Sequence, residues 1–139
     1  MVSYVSKRLT MLSSIRLLIA DDDAAIRAAL RQLLHDHYEV VGEAENGLEA
    51  VEAAEHLRPD IVLLDISMPV MGGLPAARRM KSSLPEVRII FVSHHPEPAY
   101  IKEAFSSGAN GYVLKRLVVS DLEPAIQEVA AGRNFRSAT

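Results

Sequence analysis

Four short, almost purely apolar runs divide a chain that otherwise repeats with the period of a helix: Leu17-Leu18-Ile19-Ala20, Ile61-Val62-Leu63-Leu64, Ile89-Ile90-Phe91-Val92 and Tyr112-Val113-Leu114. Runs of this length with no polar alternation read as strands buried on both faces, as in a parallel sheet. A further segment, Tyr38-Glu39-Val40-Val41-Gly42, alternates too briefly to be more than a short strand. Between the runs the period changes. Ile26, Ala29, Leu30, Leu33 and Leu34 fall at i, i+3, i+4, i+7 and i+8, as do Leu122, Ala125, Ile126, Val129 and Ala130, and each set predicts a one-faced helix. Leu48 to Leu57, Leu74 to Leu84 and Tyr100 to Ser106 are shorter candidate helices, with Pro59, Pro85, Gly108 and Gly132 as stop signals. Strand and helix thus alternate five times, which predicts an α/β fold with a five-stranded parallel sheet, right-handed crossovers and helices on both faces.

The polar residues that close these runs carry the chemistry. Asp21 and Asp22 close the first, Asp65 the second, Ser93 the third and Lys115 the last. In a parallel sheet these positions share the edge at the carboxyl ends of the strands, where open α/β sheets build their sites. Three carboxylates gathered there repel one another unless a cation neutralises them or they take up protons. The donors are all oxygen, the chain has no Cys, and the motif has no His, a set that favours Mg²⁺. Asp65 stands alone at the tip of its run, before Ile66-Ser67-Met68-Pro69, and is the best candidate nucleophile. A carboxylate attacking phosphorus forms an acyl phosphate. Lys115 would supply a mobile positive charge for the same anion, and Ser93 a hydroxyl that can donate to it.

These residues carry a resemblance. Ala20-Asp21-Asp22-Asp23, Asp65-Ile66-Ser67-Met68-Pro69 with Gly72-Gly73, Val92-Ser93, and Gly108-Ala109-Asn110-Gly111-Tyr112-Val113-Leu114-Lys115 occur in that order, and from about Ile15 to about Gly132 the chain resembles a response-regulator receiver domain. The resemblance implies a flavodoxin-like (βα)5 fold with strand order 2-1-3-4-5, which makes the first and third strands neighbours. It implies Asp65 as phosphoacceptor, Asp22 as a direct Mg²⁺ ligand, Asp21 in the outer shell of the metal, the main-chain carbonyl of Ser67 as a further ligand, Ser93 and Tyr112 as a switch pair and Lys115 as the phosphate-binding lysine. Arg116 stands where many members carry Pro after a cis peptide, and a cis bond before a non-proline costs about 2.5–4 kcal/mol. That residue, with Gly-Tyr-Val-Leu-Lys before it and Val129-Ala130-Ala131-Gly132 later, is most similar to the NarL/FixJ branch, whose members usually continue into a LuxR-type helix-turn-helix.

Composition bounds the picture without changing it. The 139 residues suit one domain, read as a lead-in over 1–14, the receiver over 15–132 and a tail or linker start over 133–139. A hydrophobic content of 49% with 24% charged residues is ordinary for a globular chain. The net charge of −3 offers no basic footprint for nucleic acid, so DNA would be reached only through an output domain outside this chain. No apolar run approaches the roughly 20 residues of a membrane span, and the lead-in lacks the apolar core of a signal peptide. The absence of Cys suits a cytoplasmic location.

Plainer readings compete at single residues. Asp23 reads best as a helix cap. Tyr112 could be a packed aromatic with a wet hydroxyl. His94 and His95, adjacent on a strand end, point in opposite directions and would share no ion; His95 reads as a solvated loop residue and His94 as a candidate cover of the pocket. The expected function is a signalling switch taking phosphate from a sensor histidine kinase, homodimerising on phosphorylation, and not an enzyme in its own right. It serves as the receiver of a transcriptional regulator or, alternatively, as a stand-alone receiver or phosphorelay shuttle. A Mg²⁺-dependent phosphatase of the haloacid-dehalogenase type would need an acid two residues after the nucleophile, where Ser67 stands. A dinucleotide-binding domain would need glycines where Asp21-Asp22-Asp23 lie.

Overall fold

The structure, a computed structural model, describes residues 14–138. The lead-in therefore lies outside the described residues except for Ser14. Strands β1 (Arg16–Ala20), β2 (Glu39–Ala44), β3 (Ile61–Leu64), β4 (Arg88–Ser93) and β5 (Gly111–Leu114) alternate with helices α1 (Ala24–Leu34), α2 (Gly47–Leu57), α3 (Gly73–Ser83), α4 (Pro98–Ser106) and α5 (Val118–Ala130). All strand pairs are parallel, in the order β2-β1-β3-β4-β5, followed by a sixth strand, β6 (Phe135–Arg136), at the far edge. The five expected strands are present in the expected order. The sixth corrects the five-stranded expectation and falls within the residues read as tail. Two residues between Arg133-Asn134 and Ser137 are too few to show a period, so only the backbone of β5 reveals them.

The apolar runs are uninterrupted because both faces of the sheet are covered. Leu17, Ile19, Ile61, Leu63, Ile90, Val92 and Val113 pack against α1 and α5. Leu18, Ala20, Val62, Leu64, Ile89, Phe91, Tyr112 and Leu114 pack against α2, α3 and α4. On α1 the buried stripe is narrower than its spacing predicts: Leu30 and Leu34 are buried, Ile26 and Leu33 half-buried, and Ala29 lies exposed. Ala130 is likewise exposed at the end of α5. The brief alternation in β2 also has a cause. Leu17 pairs with Val40 but Leu18 with Gly42, so Val41 is an extra residue in a bulge that breaks the period of two.

Register then aims the strand ends. Ala20 pairs with Leu64, Leu64 with Phe91 and Ser93 with Leu114. The ladder runs one bond beyond the strands, with Asp21 N donating to Ala44 O and Asp65 N to Ala20 O, both at 3.0 Å. These bonds set the two acids side by side at the point where the strand order reverses. Every peptide bond among the described residues is trans, and Lys115, Arg116 and Leu117 form a single 3-10 turn that leads into α5. Arg116 thus sits in an ordinary turn, without the cis peptide whose cost the sequence put in question.

Candidate functional site

At the carboxyl edge of the sheet a cleft of about 240 Å³ is lined by Asp21, Asp22, Asp23, Ile26, Asp65, Ser67, His94, His95 and Lys115. A larger open cleft of about 1250 Å³ lies at the opposite edge. Two of the three cations that line it, Lys81 and Arg88, are committed to backbone carbonyls: Lys81 Nζ donates to Val87 O at 2.6 Å, and Arg88 Nη1 to Val129 O at 2.6 Å and Ala130 O at 2.9 Å. The smaller cleft holds the clustered chemistry.

Carboxylate oxygens of Asp21, Asp22 and Asp65 lie within 4.8 Å of one another. Lys115 follows the last residue of β5 and sends Nζ to within 2.8 Å of Asp21 Oδ2 and 3.3 Å of Asp65 Oδ2. Asp21 is also held by Asp23 N, which donates to its Oδ1 at 2.9 Å, whereas Asp22 is exposed at the mouth. Asp65, 6% exposed, accepts from Ile66 N on Oδ1 at 2.8 Å. Burial and then the charge of Asp21 push the Asp65 carboxyl above its ordinary value, against the opposing pull of Lys115 and the Ile66 N–H. Burial alone would lower the Lys115 ammonium, but the two carboxylates outweigh it and raise it overall. One cation thus faces three acids, and the cluster carries an excess of negative charge.

The loop after Asp65 approaches so closely that two glycines are required. A Cβ on Gly73 would stand 1.9 Å from Asp65 O, and one on Gly47 2.3 Å from Met71 O. Those contacts bring Gly73 N within 2.7 Å of Ile66 O and Gly47 N within 2.8 Å of Met71 O. Between these anchors Met71 N donates to Pro69 O at 2.7 Å around Val70, whose φ is +67°. A β-branched residue there is strained.

Asp21, Asp22, Asp65, Ser67, His94 and Lys115 therefore line one cleft. Ser93 and Tyr112 do not; both are fully buried behind it. Ser93 Oγ accepts from His95 N at 3.1 Å, and Tyr112 donates its hydroxyl proton to His95 O at 2.7 Å. Burial pushes the Tyr112 phenol up, partly offset by the nearby Ser93 hydroxyl. Asp23 accepts from Ala25 N at 2.9 Å and Ile26 N at 3.4 Å, as a cap does.

His95 corrects the expectation of a solvated loop residue. Its ring stacks on Tyr100 with centroids 4.0 Å apart, and its Nε2 lies 3.3 Å from Ser67 Oγ. Alternation along a strand separates adjacent side chains, but β4 ends at Ser93, so that argument does not reach residues 94 and 95. The available signal was Tyr100, placed by the helix that starts at Pro98.

The sequence profile of the response regulator receiver domain matches residues 17–127. The chain belongs to that family. It is 38% identical over 120 residues to the transcriptional regulatory protein LnrK of Bacillus subtilis (strain 168), covering 85% of this chain and 54% of that protein. Among solved structures it is similar to a two-component response regulator of the LuxR family from Aurantimonas sp. SI85-9A1, with 34% identity, a TM-score of 0.85, and coverage of 88% of this chain and 89% of that one. The signal receiver domain of the putative response regulator NarL from Mycobacterium tuberculosis gives 32% identity and a TM-score of 0.82, covering 87% of this chain and 99% of that one. The receiver therefore falls among NarL and LuxR-family regulators and has the role of a phosphoacceptor switch in a two-component system. It spans about half the length of the curated regulators it matches. Among the described residues no helix is long and apolar enough to cross a membrane.

Proposed function

We propose that Asp65 of this receiver is the phosphoacceptor and that a sensor histidine kinase is the donor. The convergence of three carboxylates and Lys115 at the strand edge carries the reading. A carboxylate oxygen of Asp65 attacks phosphorus, the bond from phosphorus to the donor nitrogen breaks, and an acyl phosphate is left on Asp65. The Ile66 N–H orients the carboxylate, and Lys115, now between Asp21 and Asp65, meets the incoming anion.

The all-oxygen donor set and its excess negative charge fit a hard divalent cation. Asp22, Asp65 and the main-chain carbonyl of Ser67 would hold Mg²⁺ directly, with Asp21 in its outer shell. Bound there, it offsets the charge of the phosphoryl oxygens. Incubation with acetyl phosphate is expected to add one phosphoryl group, detected by mass spectrometry, and the label is expected to vanish with chelator or in Asp65→Asn. Stable label undiminished in Asp65→Asn overturns the assignment.

Output belongs to the same reading. The relatives named as transcriptional regulators are roughly twice as long as the matched region, so DNA would be reached by the rest of such a protein. Tyr100, 37% exposed on α4, and Val119, 86% exposed at the start of α5, offer apolar surface for a homodimer formed on phosphorylation. Light scattering with and without acetyl phosphate tests that association.

A further inference from the structure

The last described segment of the chain is tied to β5, the strand that Lys115 directly follows. Phe135 N donates to Asn110 O at 3.1 Å and Ser137 N to Tyr112 O at 2.9 Å, so the ladder of β6 flanks Tyr112. Beyond it the pattern changes. Leu114 N, the last donor on that edge of β5, finds no carbonyl but the side-chain oxygen of Ser137 at 3.2 Å. The same hydroxyl donates its proton to Asp121 Oδ2 at 2.7 Å, on the first turn of α5. Asp121 Oδ1 in turn lies 2.9 Å from the Ser120 hydroxyl. Ser137 is 2% exposed, and its one hydroxyl serves as acceptor and donor at once.

The residue after Leu114 is Lys115. Its side chain leaves the sheet to reach Asp21 and Asp65, while its backbone opens the 3-10 turn into α5. The position of Lys115 over the acids is thus set on one side by the Leu114 peptide and on the other by the start of α5. Ser137 joins both. We propose that Ser137 is a positioning residue for Lys115, acting through Leu114 N and Asp121, so that occupancy of the phosphoryl site and docking of residues 135–137 on β5 favour each other. The inference rests on the phosphoacceptor reading above and goes beyond it by naming the segment that responds. Coupling of this kind is reciprocal: if docking of the tail holds Lys115 for the anion, the anion holds the tail.

The test uses the whole chain with beryllium fluoride as the phosphoryl mimic and Mg²⁺ in excess. In the parent, saturation is expected to slow exchange of the Phe135 and Ser137 amides at least about fivefold. Ser137→Ala is expected to bind beryllium fluoride about fivefold more weakly, the order of one lost hydrogen bond. Its affinity for Mg²⁺ alone is expected to stay within about twofold, because no metal ligand has changed. Ser137→Thr, which keeps the hydroxyl, is expected to restore binding. Should Ser137→Ala fail to fold, Asp121→Asn weakens the acceptor in place and is expected to give the same split.

Three results overturn the proposal: beryllium fluoride binding unaffected by losing the hydroxyl, a parallel fall in Mg²⁺ affinity that marks general loosening, or tail amides indifferent to beryllium fluoride. A parent that does not bind beryllium fluoride through Asp65 removes the phosphoacceptor reading itself, and this one with it.

Discussion

Asp65 is buried at the carboxyl edge of the sheet beside the like charge of Asp21. Its carboxyl is pushed up by burial and by Asp21, so the folded state holds its proton more tightly than the unfolded chain does. The contribution of that preference to stability is fully present below the ordinary value near pH 3.9 and is lost as pH rises through the raised folded value. Without metal, ionising Asp65 therefore costs more in the folded state than in the unfolded chain. Asp65→Asn, which keeps the acceptor for Ile66 N, is expected to melt above the parent in chelator at pH 7. The gap should close below pH 4 and narrow when Mg²⁺ is added; a variant less stable than the parent at pH 7 contradicts the argument. His95 gives a second expectation at this scale. Its ring, stacked on Tyr100 and beside Ser67, stands at the mouth of the cleft. His95→Ala is expected to shorten the lifetime of the acyl phosphate severalfold, and more than His94→Ala does, with the requirement for Mg²⁺ unchanged. Hydrolysis rates of the isolated phosphoprotein decide between the two histidines.

At the scale of elements, the segment joining β3 to α3 is the most tightly specified. Two close backbone approaches, at Gly47 and Gly73, tie it to the start of α2 and to the backbone of Asp65 and Ile66. Gly73→Ala would place a methyl group 1.9 Å from Asp65 O, so the loop must move, and a loss of more than about 2 kcal/mol is expected in denaturant unfolding. Val70 is the reverse case. Its left-handed backbone costs about 1–2 kcal/mol for a residue with a branched Cβ, and the side chain is 78% exposed with little packing to lose. Val70→Gly removes the strain and adds about 0.5–1 kcal/mol of unfolded-chain entropy. A net gain of roughly 0.5 kcal/mol is expected, and a clear loss would show that Val70 makes contacts its exposure hides.

For the whole molecule the question is how an event at Asp65 reaches a distant face. As the switch pair that the resemblance implies, Ser93 would move toward the phosphate and the Tyr112 ring would turn into the vacated space. In the structure the ring is already inside and fully buried, so no space has to open. The connection runs through one peptide segment: His95 N donates to Ser93 Oγ, and His95 O accepts from Tyr112. A phosphoryl oxygen that drew the Ser93 hydroxyl toward itself would pull Oγ away from His95 N, and the shift would pass to Tyr112 by way of the backbone. Ser93→Ala is therefore expected to accept phosphate yet lose the phosphorylation-dependent NMR changes at His95 and Tyr112. A variant that responds as the parent does would mean the signal takes another route.

The strand runs, the helix periods and the polar residue closing each run were legible from the chain alone, because apolar period and strand-end position are local properties. With the resemblance they place Asp21, Asp22, Asp65, Ser93 and Lys115 along one edge. The features that stayed hidden were set by partners distant in sequence. The bulge at Val41 exists only because Leu17 and Leu18 pair across it, and Gly73 is required only because Asp65 O stands where its Cβ would be. His95 became part of the cleft once α4 placed Tyr100 beneath its ring. Phe135 and Arg136 became a strand only because the edge of β5 offered them a ladder, and Ser137 was buried by Leu114 and Asp121. The sequence by itself determined which residues have the chemistry of a phosphoacceptor and the edge they share. Tertiary structure alone decided their hydrogen-bond partners, because a bond of about 3 Å depends on register and loop path, which no local pattern encodes.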